Sequence, residues 1–142
     1  MSTERIGPYE IIRPIGQGGM GEVLLGHDER LNRQAAIKVL PEKPDDNEQR
    51  RQRFLEEARS ASAITHPNVC VIYDVGETDD GQPFIAMEYI EGNTLDELNS
   101  TGPLTTELTT EFAIQIADAL QVAHEAGVVH RDIKPSNVII NP

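Results

Sequence analysis

The chain has 142 residues and a formal net charge of -12, with 38% hydrophobic and 25% charged residues. This is the balance of a globular domain, and its acidity argues against a nucleic-acid partner and against anionic lipid headgroups. No run of about 18 apolar residues is present, so no membrane segment is expected in this portion. Residues 1–8 lack the apolar core of a signal peptide and read as an N-terminal tail. Residues 9–15 alternate as a strand, with Tyr9, Ile11 and Ile15 on one face. Gly16-Gln17-Gly18-Gly19-Met20-Gly21-Glu22-Val23 follows. Gly-x-Gly-x-x-Gly also opens dinucleotide-binding folds, but there the glycines run into a helix. Here they run into Val23-Leu24-Leu25, which favours a strand, so the loop reads as a hairpin tip whose glycines let backbone N–H groups approach phosphates. A nicotinamide oxidoreductase is set aside on that ground.

Residues 34–40 form the next expected strand, with Lys38 between Ile37 and Val39. A cation inside an apolar strand wants an anionic partner. Residues 41–53 are polar and lead into a helix, with Asp45, Asp46 and Asn47 as cap candidates. Phe54, Ala58, Ala61 and Ile64 recur at helical spacing, and Pro67 ends the run. Glu57 lies at the edge of that stripe, whereas Glu56 reads as the solvated neighbour. Residues 69–76 and 83–88 read as a hairpin around Thr78-Asp79-Asp80-Gly81. Cys70, the single cysteine, is expected buried in the first of these strands. It can form no internal disulfide, which fits a reducing, cytoplasmic compartment. Glu91-Gly92-Asn93 looks like a linker, and 95–98 reads as no more than a turn of helix. Thr105 caps a long helix with a buried stripe of Leu108, Phe112, Ile116, Leu120 and Ala123, ended by Ala126-Gly127.

The last motif carries the chemistry. In His130-Arg131-Asp132-Ile133-Lys134-Pro135-Ser136-Asn137 an Asp can take or orient a hydroxyl proton, a Lys can neutralise charge on a migrating phosphoryl group, and an Asn carbonyl oxygen can hold Mg²⁺.

Glycine loop, strand lysine, helix glutamate, linker and this loop occur in the order and spacing of a eukaryotic-like protein kinase. The segment Lys134-Pro135-Ser136-Asn137 resembles the serine/threonine subgroup, and Gly18-Gly19-Met20-Gly21 with His66-Pro67-Asn68 resembles bacterial Hanks-type kinases. The resemblance implies an α+β fold: a five-stranded antiparallel N-lobe sheet with one main helix, then the start of a helical C-lobe. It implies a kinase domain over 9–142, with N-lobe and hinge at 9–90 and the C-lobe start at 91–142. It further implies Asp132, Lys134 and Asn137 as catalytic residues, and ATP and Mg²⁺ as cofactors, Asn137 being a metal ligand. Ile15, Val23 and Ala36 would roof the adenine, with Gly16 to Gly21 (Gln17, Gly18, Gly19 and Met20 between them) over the phosphates. Lys38 would grip the α- and β-phosphates and pair with Glu57, a choice made mainly by the family's register. Met87 falls at the gatekeeper position, Glu88 and Ile90 would bond the adenine edge through backbone groups, and Ile139 would form the pocket floor.

The implied activity is ATP-dependent phosphorylation of protein serine and threonine hydroxyls, with protein substrates as partners. Ala35 stands where Val is common and Gly26 where Ala is common, and neither removes a functional group. No Asp-Phe-Gly motif occurs in these 142 residues, so the family's second metal ligand is not among them. Residues 1–142 alone are therefore expected to transfer no phosphate. The alternative reading is a catalytically inactive nucleotide-binding or interaction fragment.

Overall fold

The computed structural model describes residues 4–18, 21–40, 48–129 and 133–141. They fold into two compact units. One comprises Met1–Ser62 with Val71–Tyr89, the other Ala63–Cys70 with Ile90–Pro142.

The first unit is an antiparallel sheet with one helix. Its strands are β1 (Arg5–Ile6), β2 (Tyr9–Gly18), β3 (Gly21–Asp28), β4 (Arg33–Val39), β5 (Ile72–Glu77) and β6 (Pro83–Glu88), in the spatial order β1-β2-β3-β4-β6-β5. Five strands were expected and six are present. The extra one arises because Gly7 takes φ +57° and turns the chain, pairing Ile6 with Tyr9 and Arg5 with Glu10. Residues 5–6 are thus part of the sheet and not a tail, and Ile6 is a core residue.

Two clusters of apolar side chains hold this unit. Ile6, Tyr9, Leu24, Ala35, Ile37, Phe84 and Ala86 form the larger one. The Phe84 ring meets Tyr9 edge-on, with centroids 6.3 Å apart at 82°. On the other face, helix α1 (Glu48–Ser62) lays Phe54 and Ala58 against Leu40 and Ile85. Arg51 of α1 reaches the β5–β6 turn, where it donates to the Gly81 carbonyl at 2.9 Å and pairs with Glu77. The cap candidates at 45–47 lie outside the described residues. Ile64 falls beyond the end of α1, contrary to the periodicity. Gly26 is buried, and a Cβ there would stand 3.1 Å from Ile37 Cγ1 and 3.3 Å from Tyr9 Cβ. A side chain here would fit only if Ile37 and Tyr9 shifted by a few tenths of an ångström.

Asp28 ends β3 and is fully buried. Its Oδ1 accepts from the Arg30 N–H at 2.9 Å, Arg30 Nε at 3.2 Å and the Leu31 N–H at 3.4 Å, and its Oδ2 from Arg30 Nη2 at 3.2 Å. These bonds build the β3–β4 turn. The Arg30 side chain holds the Asp28 carboxyl below the ordinary carboxylate range. A folded value lower than the unfolded one makes a contribution that is complete above about pH 3.9 and is lost as pH falls through the folded value. The thermal midpoint of the full chain should therefore fall more steeply on acidification from pH 5 than that of an Asp28→Asn variant. The variant should already be less stable at pH 7. Parallel midpoint profiles for the two proteins would contradict this.

The second unit contains β7 (Asn93–Thr94), α2 (Leu95–Ser100), α3 (Thr106–Glu125), a 3₁₀ turn at Pro135–Asn137 and β8 (Ile139–Ile140). Thr105 caps α3 by accepting from the Leu108 N–H at 3.1 Å, and Gly127 turns the chain after it at φ +81°, as the sequence predicts. In the α3 stripe Ala123 is buried, while Leu108, Phe112, Ile116 and Leu120 are half-buried. Cys70 is half-buried and precedes β5, so the expected strand residue is not one. Among the described residues no helix is long and apolar enough to cross a membrane.

Candidate nucleotide site and catalytic loop

The glycine segment is a hairpin tip, as the β-favouring residues after it require. Gly16 pairs with Val23, Gln17 with Glu22 and Gly18 with Gly21. Gly19 and Met20 lie outside the described residues. A register shift between Pro14 and Gly16 leaves Ile15 out of the ladder, half-buried. Gly16 does not need its missing Cβ for the reasons that apply to Gly26. Its φ is not left-handed, and a Cβ built there would meet nothing within 4 Å. The fold itself does not demand glycine here, and what its absence of side chain leaves is open space over the backbone. That is the room a phosphate group needs, so this half of the site fits a nucleotide.

Cross-strand register brings four further candidates onto one face. Val23 stands opposite Lys38, and Lys38 opposite Ile85; Ala36 stands opposite Met87. Directly paired residues point to the same side, and so do residues two apart. Val23, Ala36, Lys38 and Met87 therefore share a sheet face with Ile85, whose part of that face α1 covers. Ala36 is buried, and Val23, Lys38 and Met87 are half-buried. A primary amine thus stands among apolar side chains on the face that carries the hairpin tip.

The expected ion pair of Lys38 with Glu57 is not formed in this structure. Phe54 and Ala58 turn toward the sheet, which leaves Glu57 at the exposed edge of α1 beside the equally exposed Glu56. Glu88 gives its N–H to the Val71 carbonyl at 2.8 Å, and its Oε1 accepts from the Val71 N–H at 3.3 Å. Its amide hydrogen is therefore already engaged. Ile90 is the first residue of the second unit after β6, and it is half-buried.

Of the catalytic loop, His130, Arg131 and Asp132 lie outside the described residues. Lys134 is exposed and precedes the 3₁₀ turn, in which the Asn137 N–H donates to the Lys134 carbonyl at 2.9 Å. Val138 carries the chain into β8, and β8 pairs with β7: Asn93 with Ile140 and Thr94 with Ile139. The Leu95 N–H donates to the Val138 carbonyl at 2.7 Å. Lys134 and Asn137 thus hang from a short two-strand clamp. Ile139, the expected pocket floor, is 43% exposed. Among the described residues no group of three or more His, Cys, Asp or Glu side chains gathers to hold a metal, so Asn137 is the one candidate ligand placed.

Two features of this unit escaped the sequence reading. Thr94 and Glu97 form a capping box: Thr94 Oγ1 accepts from the Glu97 N–H at 3.1 Å, and Glu97 Oε1 accepts from the Thr94 N–H at 3.2 Å. Thr94-Leu95-Asp96-Glu97 carries the Thr-x-x-Glu signal that announces it. The second is the work of His66-Pro67-Asn68. The Asn68 N–H donates to His66 Nδ1 at 3.0 Å, so Nδ1 is the acceptor and Nε2 carries the proton that it donates to Asp118 at 2.8 Å. Asn68 Nδ2 also donates to Gln115 Oε1 at 2.9 Å. This segment is thereby fastened to α3.

A family model for the protein kinase domain matches residues 9–142. The chain belongs to the protein kinase domain family. It is 47% identical over 137 residues to the serine/threonine-protein kinase PrkC of Bacillus subtilis, covering 95% of this chain and 21% of that protein. It is 41% identical over 137 residues to the serine/threonine-protein kinase PknD of Mycobacterium tuberculosis, covering 96% of this chain and 20% of that one. The crystal structure of the M. tuberculosis PknI kinase domain superposes with a TM-score of 0.87 at 30% identity, over 99% of this chain and 57% of that chain. The chain therefore spans about a fifth of the length of these curated relatives. The PknI kinase domain shares the fold seen here, and the sixth, two-residue strand β1 is a detail at the sheet edge.

Proposed function

We propose that this chain forms the nucleotide-binding and catalytic-loop part of a kinase that transfers the terminal phosphoryl group of ATP to serine and threonine hydroxyls of proteins. The observation that carries the reading is the shared face of Val23, Ala36, Lys38 and Met87 beside a hairpin tip whose Gly16 faces open space. In this reading Ile15, Val23, Ala36, Met87 and Ile139 enclose the adenine ring. Gly16 to Gly21 hold the phosphates through backbone amides, and Lys38 neutralises the α- and β-phosphates. Backbone groups of Glu88 and Ile90 meet the adenine edge. Glu57 is the partner of Lys38 in the nucleotide-bound state. Its support is position: the neighbouring Ala58 packs in the same cluster as Ile85, which stands beside Lys38.

Asp132 orients the acceptor hydroxyl and takes its proton. Lys134 offsets charge on the group in transfer, and the Asn137 side-chain oxygen binds Mg²⁺. Asn137 would hold that metal, which would neutralise charge on the phosphates. The rest of the rate comes from holding hydroxyl and phosphate in line. A cytoplasmic location, protein substrates and no nucleic-acid partner belong to the same reading, supported by the lone cysteine and the net charge of -12.

The test is transfer from radiolabelled ATP to a generic protein substrate by a complete kinase domain that contains these residues, followed by phosphoamino-acid analysis. Phosphoserine and phosphothreonine are expected, and Asp132→Asn should lower the rate by at least about 10²-fold. An unchanged rate in that variant would remove Asp132 from the mechanism.

A further inference from the structure

Gly92 has the tightest surroundings of any glycine described. Its φ is +152°, and a Cβ at that position would overlap the carbonyl oxygen of Ile140 and lie 3.0 Å from its carbon. Ile140 and its neighbour Ile139 form β8, and the two residues after Gly92 form β7, its partner. One bond further on, the Leu95 N–H holds the Val138 carbonyl, and Val138 follows Asn137 directly. The α2 capping box fixes Thr94 from the other side.

We propose that Gly92 is a positioning residue. Its missing Cβ lets the chain pass against the backbone of Ile140, and that close approach sets the position of β8, and with it of Ile139, Asn137 and Lys134. Any side chain at 92 must push β8 away from β7, since the atom in its path is backbone and cannot rotate aside. The displacement is then passed through one residue, Val138, to Asn137. The kinetic part of the proposal rests on the kinase reading above; the structural part does not.

Gly102 provides the internal control. It has a similar φ of +143°, but a Cβ there would meet nothing within 4 Å. Gly102→Ala therefore imposes backbone strain without the collision. The full chain is prepared as wild type, Gly92→Ala and Gly102→Ala. Hydrogen exchange is read at the Leu95 amide and across 134–140, and kcat and KM for Mg-ATP are measured separately on the same variants of a complete kinase domain that contains these residues. In Gly92→Ala the Leu95 amide should exchange at least about tenfold faster. Its kcat/KM should fall by up to about 100-fold, with KM for ATP raised as well as kcat lowered. Gly102→Ala should match wild type within about twofold in both readouts.

Equal behaviour of the two alanine variants overturns the proposal. So does a Gly92→Ala protein with wild-type KM and wild-type exchange at Leu95, whatever its kcat, because the clamp is then undisturbed. Should Gly92→Ala fail to fold, Thr94→Val loosens the same clamp more gently by removing the capping hydroxyl. A raised KM with faster Leu95 exchange then supports the proposal, and wild-type values overturn it. If the wild-type complete domain transfers no phosphate, the kinase reading fails, while exchange at Leu95 and 134–140 still decides whether Gly92 places β8.

Discussion

Lys38→Met in a complete kinase domain that contains these residues is expected to lower phosphotransfer by about 10²–10³-fold, the cost of removing one preorganised charge from a phosphate site. The fold should remain. Lys38 is half-buried, its aliphatic stem lies along the face shared with Val23 and Ile85, and Met offers an unbranched apolar chain for the same space. No ion pair with Glu57 exists to be broken in this structure, so the stability change should stay within about 1 kcal/mol. Radiolabelled ATP with a generic protein substrate reads the first quantity, and a thermal melt reads the second. Full activity in the variant would remove Lys38 from the site. Loss of activity together with a collapsed melting transition would make Lys38 a structural residue instead.

The second large effect is on stability. Phe84→Ala should cost about 3–5 kcal/mol. Phe84 is 2% exposed, and its ring fills the space above two glycines. A Cβ on Gly76 would lie 3.0 Å from the Phe84 Cζ, and one on Gly7 would lie 3.1 Å from it. Tyr9 closes the remaining side. Backbone on two sides of the ring cannot collapse into the void, so the cavity term should persist. Against a net domain stability of about 5–15 kcal/mol, the loss is a large fraction. It should lower the melting midpoint by at least about 10 °C for a unit of this size. Leu31→Ala, at a position 57% exposed, should shift it by no more than about 0.5 kcal/mol equivalent. A Phe84→Ala midpoint indistinguishable from that of Leu31→Ala would refute the packing argument.

The elements that carry a period were legible. Alternation marked β2, apolar runs and turn signals marked β4 to β6, helical spacing marked α1 and α3, and glycines followed by Val23-Leu24-Leu25 marked a hairpin. Elements of two residues carry no period, so β1, β7 and β8 could not be read, although Gly7 and Gly92 punctuate the chain beside two of them. Residues 69–71 look like strand by composition. The Val69 N–H instead donates to the His66 carbonyl at 3.1 Å, and β5 starts only at Ile72. His66 finds Asp118 across 52 positions of sequence, a distance no local window spans.

Residue type and spacing alone therefore determined which side chains could do chemistry: an amine in an apolar strand, glycines at a turn, and Asp132, Lys134 and Asn137 in one loop. They also determined the family, since those types are needed in that order. Tertiary structure decided what the side chains meet. Packing of Phe54 and Ala58 rotates α1 so that Glu57 stands exposed and apart from Lys38, and a helix's rotation depends on its partner surface as well as on its own stripe. Likewise, that a Cβ at Gly92 would meet backbone while one at Gly16 would meet nothing follows from which chain segment passes nearby, and this is settled by contacts between residues far apart in the chain.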